Sequence, residues 1–209
     1  MSSSLAWSLP GWPALSMTET ETRSLAQLND SALVAECLAG TPGAFDLIVE
    51  RYRRPIYQVC YRFVGNHEDA SDLSQDVFLR AYRGLKNFRG QAALSTWLYR
   101  IGVNVCLNRV STKKPLDSTT NEPIETQNLI DATNDSPAER LMREEQSARV
   151  RAAIARLPDK QRATLILRTY HELSHQEIAD ILGSSVGAVK ANFFHALANL
   201  KKILDASHA

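Results

Sequence analysis

Three groups of residues carry side chains suited to recognition chemistry. The first is Lys190, Asn192 and His195, set among Ser185, Ala188 and Ala191. Lysine supplies a charge for phosphate, asparagine can bind an adenine edge bidentately, and alanine can touch a thymine methyl. The second is Trp97, Asn104 and Asn108, which with Ile101 fall on one side of a predicted helix. Two amides in line with a Trp do not suit a core stripe, because a buried Asn is costly unless satisfied. An amide has both donors and an acceptor, so it can select one base edge. The third is Asp72, Asp76, Leu79 and Arg83, one face of another helix, with Gln75 beside it. That face is polar yet holds a Leu, which suits a protein partner. Hydrolytic or transfer chemistry would need a nucleophile or a metal-binding carboxylate cluster. Asp69, Asp72 and Asp76 span a helix without His or Cys support, so an enzyme is not indicated and no metal or cofactor is expected.

The elements that position the first group are legible in detail. Ser174 and Glu177 form an S-x-x-E capping box at a helix start. Ile178, Ala179 and Leu182 make its apolar stripe, and Gly183 suits the left-handed position that ends it. Ser185 can cap the next helix. In that helix Val186, Val189, Phe193, Ala196, Leu197 and Leu200 recur at helical spacing and mark an inward face. Gly187, Ala188, Ala191 and His195 lie opposite, a face of mostly small residues that lets a helix sink into a groove. The pattern is that of a helix-turn-helix, the unit that presents its second helix to the DNA major groove, and the alternative is an ordinary antiparallel helix pair with a solvated face.

The rest of the chain is helical in pattern, without sustained strand-like alternation. Residues 1–28, with Ser, Thr, Pro and two Trp, are expected to form a disordered extension, and Met17 is an alternative start. Helices are predicted over Ser31–Ala39, from Thr41-Pro42 to Phe63 with a kink or break at Pro55, over Glu68–Leu85, and over Ser95–Val110. On the third of these, Ala70, Leu73, Val77, Ala81 and Gly84 should face a core. Residues 111–135 have the low hydrophobicity of a flexible linker. Structure should resume at Ser136, a second capping box with Pro137 at the first helical position, and continue to Arg156. Leu157-Pro158 then opens a helix ending near Tyr170. The fold class is therefore all-α, with two small helical domains at 29–110 and 136–209 joined by a flexible linker.

Charge follows the same division. The formal total is only +1, but residues 43–114 carry 12 Lys/Arg against 6 Asp/Glu, and residues 149–209 carry 9 against 5. Between them, residues 115–148 carry 2 against 8. Two basic blocks and an acidic spacer suit two contacts with a polyanion. Cys37, Cys60 and Cys106 form no C-x-x-C or Cys/His cluster, so reduced thiols in a cytoplasmic protein are expected. No run is long and apolar enough for a membrane span, and the N-terminus lacks a signal peptide's basic start.

The order DLSQDVFLRAYRGLKNFRG, then STWLYRIGVNVCLNRV, then LPDKQRATLILRTYHELSHQEIADILGSSVGAVKA resembles a bacterial sigma factor of the extracytoplasmic-function branch of the sigma-70 family. The resemblance covers about residues 29–110 and 137–204. It implies that Asp72, Gln75, Asp76 and Phe78, with Leu79 and Arg83 on the same helix, dock on core RNA polymerase through its beta and beta-prime subunits. It implies that the Phe88–Leu94 loop and Asn104 open the minus-ten promoter element and hold a flipped base, with Arg89, Trp97, Arg100 and Asn108 beside them. Extruded bases are stacked on aromatics and hydrogen-bonded at exposed edges, which suits these residue types. The helix-turn-helix would read the minus-thirty-five element. Asn192 and His195 occupy positions often basic in the family and Ala191 one often Ser, which leaves the promoter sequence open. The implied function is promoter recognition, melting and transcription initiation in a stress or envelope response. The implied partners are core polymerase, promoter DNA and an anti-sigma factor of the kind that can be membrane-bound, with no small-molecule substrate. The competing reading is a stand-alone activator or repressor, which leaves the basic, aromatic-rich first half unexplained.

Overall fold

The computed structural model describes residues 25–112 and 136–206. Every regular element among them is helical, in two helical domains. α1 spans Asp30–Ala39, capped by Asn29, whose side chain accepts from the Ala32 N–H at 2.9 Å, and closed by Gly40 at φ 81°. α2 spans Ala44–Val64, α3 spans His67–Gly84, and a 3-10 turn at Leu85–Asn87 follows. α4 spans Leu94–Thr112. The second half holds α5 (Pro137–Ala155), α6 (Asp159–Tyr170), α7 (His175–Leu182) and α8 (Val186–Ala206).

Several boundaries differ from the sequence expectation. Order begins ahead of Asn29: Arg51 donates to the carbonyls of Leu28 at 2.8 Å and Ala26 at 3.3 Å, and Leu28 packs on the core. α2 starts at Ala44 instead of Pro42, because the Thr41 hydroxyl is turned back to the Glu36 carboxylate and Gly43 takes the left-handed cap. Nor does Pro55 break α2, which is continuous across it. Ile48, Ile56, Val59 and Phe63 are buried on either side, and tertiary burial outweighs a lost backbone hydrogen bond. α4 reaches Thr112, two residues into the segment read as linker. The rest of that segment, 113–135, and residues 1–24 of the expected extension lie outside the described residues.

The first half packs α2, α3 and α4 around Ile56, Val59, Val77, Phe78, Leu98, Val103 and Cys106, with Leu33 of α1 closing one side. Full burial of an aliphatic or aromatic side chain contributes about 1.5–3 kcal/mol, so this interior dominates the stability of the half. The second half is built on Ile154, Leu157, Ile166, Leu167, Ile178, Ile181, Val189 and Ala196. Both halves belong to one continuous apolar cluster, with α4 lying against α7 and α2 against α6. Cys60 and Cys106 are buried, Cys37 is half-buried, and all three are free thiols. Burial pushes the Cys37 thiol up to about 11, and the hydrogen bond between Cys106 and Cys60 together with burial holds Cys106 far above the ordinary thiol range.

Candidate nucleic-acid and polymerase interface

α3 presents the expected two faces. Ala70, Leu73, Val77 and Ala81 are buried, while Asp72 and Arg83 are exposed and Gln75, Asp76 and Leu79 half-buried. The Asp76 carboxylate accepts from Arg80 Nε at 3.0 and 3.1 Å, a pair one helical turn apart that the sequence reading did not include. Phe78 departs from expectation. It is 1% exposed, on the core side, where its ring fills the space between α3 and its neighbours. It supports the face from behind and does not itself reach a partner. Tyr82, half exposed and edge-on to Phe45 with ring centroids 5.2 Å apart, is the aromatic that this side of the helix shows to solvent.

Beyond α3 the 3-10 turn ends at Phe88, and the chain returns at Leu94 into α4. Trp97 meets Phe88 with ring centroids 5.2 Å apart and planes tilted by 45°. A Cβ placed on Gly84 would stand 3.4 Å from the Trp97 ring, an ordinary van der Waals contact, so the indole lies directly against the end of α3. Trp97 thus both packs and lines a surface: Asn87, Phe88, Arg89, Gln91, Ala92, Trp97 and Arg100 surround a cavity of about 210 Å³. That is smaller than the roughly 300–1,000 Å³ typical of sites for drug-sized ligands. Asn87, Gln91 and Ala92 were not singled out from sequence; only their place in the loop marked them.

Asn104 does not line this cavity. It follows Trp97 by seven residues on α4, about 10 Å along the helix axis. Asn104 and Asn108 are both exposed, so the concern over buried amides resolves in favour of solvent-facing ones. Arg109, next to them, pairs with Asp69 at 2.7 Å and ties α4 to the start of α3.

The helix-turn-helix forms as its caps dictate. Ser174 Oγ accepts from the Glu177 N–H at 3.2 Å, and the Glu177 carboxylate accepts from the Ser174 N–H at 2.7 Å. These hydrogen bonds hold the Glu177 carboxyl below its usual range. Gly183 takes φ 59°, and Ser185 Oγ accepts from the Ala188 N–H at 3.2 Å. On α8, Val189 and Ala196 are buried and Val186, Phe193 and Leu200 partly so. Leu197, expected inward, is 47% exposed, because contact with α6 follows the Val189–Phe193–Ala196–Leu200 line and leaves it to one side. Ser185, Ala188, Lys190, Ala191 and His195 are exposed and Asn192 half-exposed, as a reading helix requires. Phe194 joins them at 69% exposure, with its ring edge-on to His195, so this face is less uniformly small than the pattern suggested. The sequence pattern assigns Phe194 to neither face, and only its exposure identifies it.

Comparison with known proteins matches residues 48–115 to Sigma-70 region 2 and residues 147–200 to Sigma-70 region 4. The chain is 37% identical over 186 residues to the RNA polymerase sigma-H factor of Pseudomonas aeruginosa, covering 87% of this chain and 96% of that protein. The chain belongs to the extracytoplasmic-function branch of the sigma-70 family. This sigma factor is also 37% identical to ECF RNA polymerase sigma factor SigW of Bacillus subtilis, over 79% of this chain and 91% of the relative. Among solved structures it resembles CnrH in its complex with the cytosolic domain of CnrY, at TM-score 0.62 and 27% identity, covering 85% of this chain and 97% of that one. The sigma factor RpoE of Bartonella quintana shares the fold at TM-score 0.58 and 19% identity, over 78% of this chain and 98% of that one. The sigma factor is an initiation factor: it binds core RNA polymerase and directs it to promoters. Among the described residues no helix is long and apolar enough to cross a membrane.

Proposed function

We propose that this sigma factor divides its work among the three surfaces above. The exposed side of α3, with Asp72, Gln75, Asp76, Leu79 and Arg83, docks on core polymerase. The Phe88/Trp97 cavity takes a base extruded from the minus-ten element, with Arg89 and Arg100 holding the strand backbone. Asn104 and Asn108, further along α4, meet the same strand beyond that base. On α8, Lys190 binds phosphate, and Asn192, His195, Ala188, Ala191 and Phe194 meet base edges in the minus-thirty-five element. Ser185 sets the helix N-terminus against the DNA backbone.

The observation that carries this reading is the aromatic cavity edged by two arginines at the mouth of α4. Stacking against an aromatic tolerates any base and contributes about 1–3 kcal/mol per base, so it serves an unpaired strand and has no use for duplex. A stand-alone repressor would not need it. The protein performs no bond chemistry of its own, acts in the cytoplasm without a cofactor, and is held in check by an anti-sigma factor, the kind of partner that NepR is in the complex with the similarly folded RpoE of Bartonella quintana. A stress or envelope response is the setting that fits. The test is promoter binding with and without core polymerase. Sequence-specific binding and strand opening should require core; tight specific binding without it would favour the repressor.

A further inference from the structure

The three long helices of the first half alternate in direction. Phe45 at the start of α2 meets Tyr82 near the end of α3, with ring centroids 5.2 Å apart, and Tyr61 near the end of α2 meets His67 at the start of α3, at 4.8 Å. Trp97 on the first turn of α4 lies against Gly84 at the end of α3, and Arg109 near the end of α4 pairs with Asp69 on the first turn of α3 at 2.7 Å. Both α2 and α4 therefore run against α3 and parallel to each other, and they pack together. Their point of contact is marked by Gly102, where a Cβ would stand 4.0 Å from Ile56 Cδ1. One helical turn further along each helix come Cys60 and Cys106, since residues four apart share a helical face.

The two thiols meet there. Each is fully buried, both are free, and their side chains share a hydrogen bond. Side chains that point at each other across a helix pair meet the geometric need of a disulfide, which fails when the Cβ vectors diverge. Packing alone does not call for cysteine at either place. A buried free thiol behaves as a small apolar group, and Val59, Val103 and Val105 fill the same interior. Cys37 stands apart on α1, half-buried and near the charges of Asp46 and Glu36. The three thiols are thus one pair and one single.

We propose that Cys60 and Cys106 are a modification site, where a peroxide oxidises the paired thiols to a disulfide that joins α2 to α4. One thiolate attacks the O–O bond and becomes a sulfenic acid, and the other oxygen leaves as water. The second thiol attacks that sulfur and displaces a second water. Two electrons pass from the sulfurs to the peroxide, and two molecules of a small thiol reverse the step by exchange, leaving as their own disulfide. Burial and the shared hydrogen bond hold the Cys106 thiol protonated, and the thiolate is the attacking form, so oxidation waits on local openings of α4 from α2. In a reducing compartment such a bridge lasts only while oxidant is present. The ring that it closes contains all of α3 and the cavity loop, so it restricts the unfolded chain and stabilises the first half. It also pins α4, whose solvent side carries Asn104 and Asn108, to α2.

The experiment treats the full chain with hydrogen peroxide and reads intact mass, peptide linkage and Tm. Wild type should lose the mass of two hydrogens, yield peptides joined through Cys60 and Cys106, and keep Cys37 as a free thiol. Its Tm should rise by roughly 5–15 °C, as a disulfide closing a long loop does in a chain of this size. A reducing dithiol should reverse both changes. Cys37→Ala should respond as wild type does. Cys106→Ala, with helicity unchanged by circular dichroism, should show neither the mass loss nor the rise in Tm. An unchanged mass, oxygen added without joined peptides, a bridge that includes Cys37, or a bridged chain whose Tm is unchanged or lower would overturn the proposal. All four are read on wild type, whatever the variants do.

Discussion

Phe88 and Trp97 stand with ring centroids 5.2 Å apart, one at the end of the turn after α3 and the other on the first turn of α4. Their separation in sequence spans a loop, so the pair exists only when both helices are in place. Truncating Phe88→Ala should cost promoter opening about 1–3 kcal/mol, the worth of one stacked base, with core affinity unchanged. Asn104→Ala should cost about 1–3 kcal/mol if its amide reads a base edge. Transcription from a duplex and from a pre-melted template separates the roles. A base contact lowers both, whereas rescue on the pre-melted template assigns the residue to melting alone. Normal activity of Asn104→Ala on both removes it from the site.

Charge reversal at Asp76, as Asp76→Lys, should weaken core binding about tenfold or more, as loss of a charge complementary to a partner does. The fold should survive. The Arg80 pair that is lost is an exposed i,i+4 contact, worth only about 0.3–0.5 kcal/mol. Titration against core polymerase with parallel thermal melts checks both halves of the expectation. Unchanged core affinity with an intact fold would release this face of α3 from the docking role.

On α8, Lys190→Ala should weaken binding to all sequences and flatten the dependence on salt. Asn192→Ala and Phe194→Ala should instead change which sequences are bound. For Phe194 the relaxed position should be a thymine, whose methyl an exposed aromatic can cover, at about 1–3 kcal/mol. Binding-site selection with each variant gives the answer. An unaltered preference in Phe194→Ala would make that ring a bystander.

His171 gives the folded chain a pH dependence. Burial, and then the nearby Arg62 charge, push its pKa from the usual 6.5 down to about 4. Folding therefore favours the neutral ring. Its contribution to stability is fully present above pH 6.5 and is lost as pH falls from 6.5 towards 4, because the unfolded chain takes up the proton first. Thermal melts of wild type should lose stability across that window, and those of His171→Gln should stay flatter. Equal profiles would leave His171 without a part in the pH dependence.

The elements that depend on local signals were legible in the sequence. Both capping boxes, Gly183 and the α3 stripe of Ala70, Leu73, Val77 and Ala81 stand where spacing put them, because caps and helical period are properties of a few adjacent residues. Three features escaped because distant packing decides them. Pro55 sits in an unbroken helix held by its neighbours' burial, Phe78 turns into the core, and Leu197 turns out of it. The cavity was half legible: Phe88, Arg89, Trp97 and Arg100 carried the right chemistry, whereas Asn87, Gln91 and Ala92 join it only through the path of the loop. The contacts of Arg62 with Tyr170 and of Tyr99 with His171 were not legible, since they join residues up to about a hundred positions apart in sequence.

The most direct test of the central claim is initiation itself. Purified sigma factor is mixed with core RNA polymerase on a library of duplex templates, and transcript starts are mapped with each component alone and with both. The account predicts starts clustered downstream of a paired minus-thirty-five and minus-ten motif only when both are present, with thymines in the opened minus-ten strand becoming permanganate-reactive. Specific duplex binding by the chain alone, with no new starts when core is added, would contradict it.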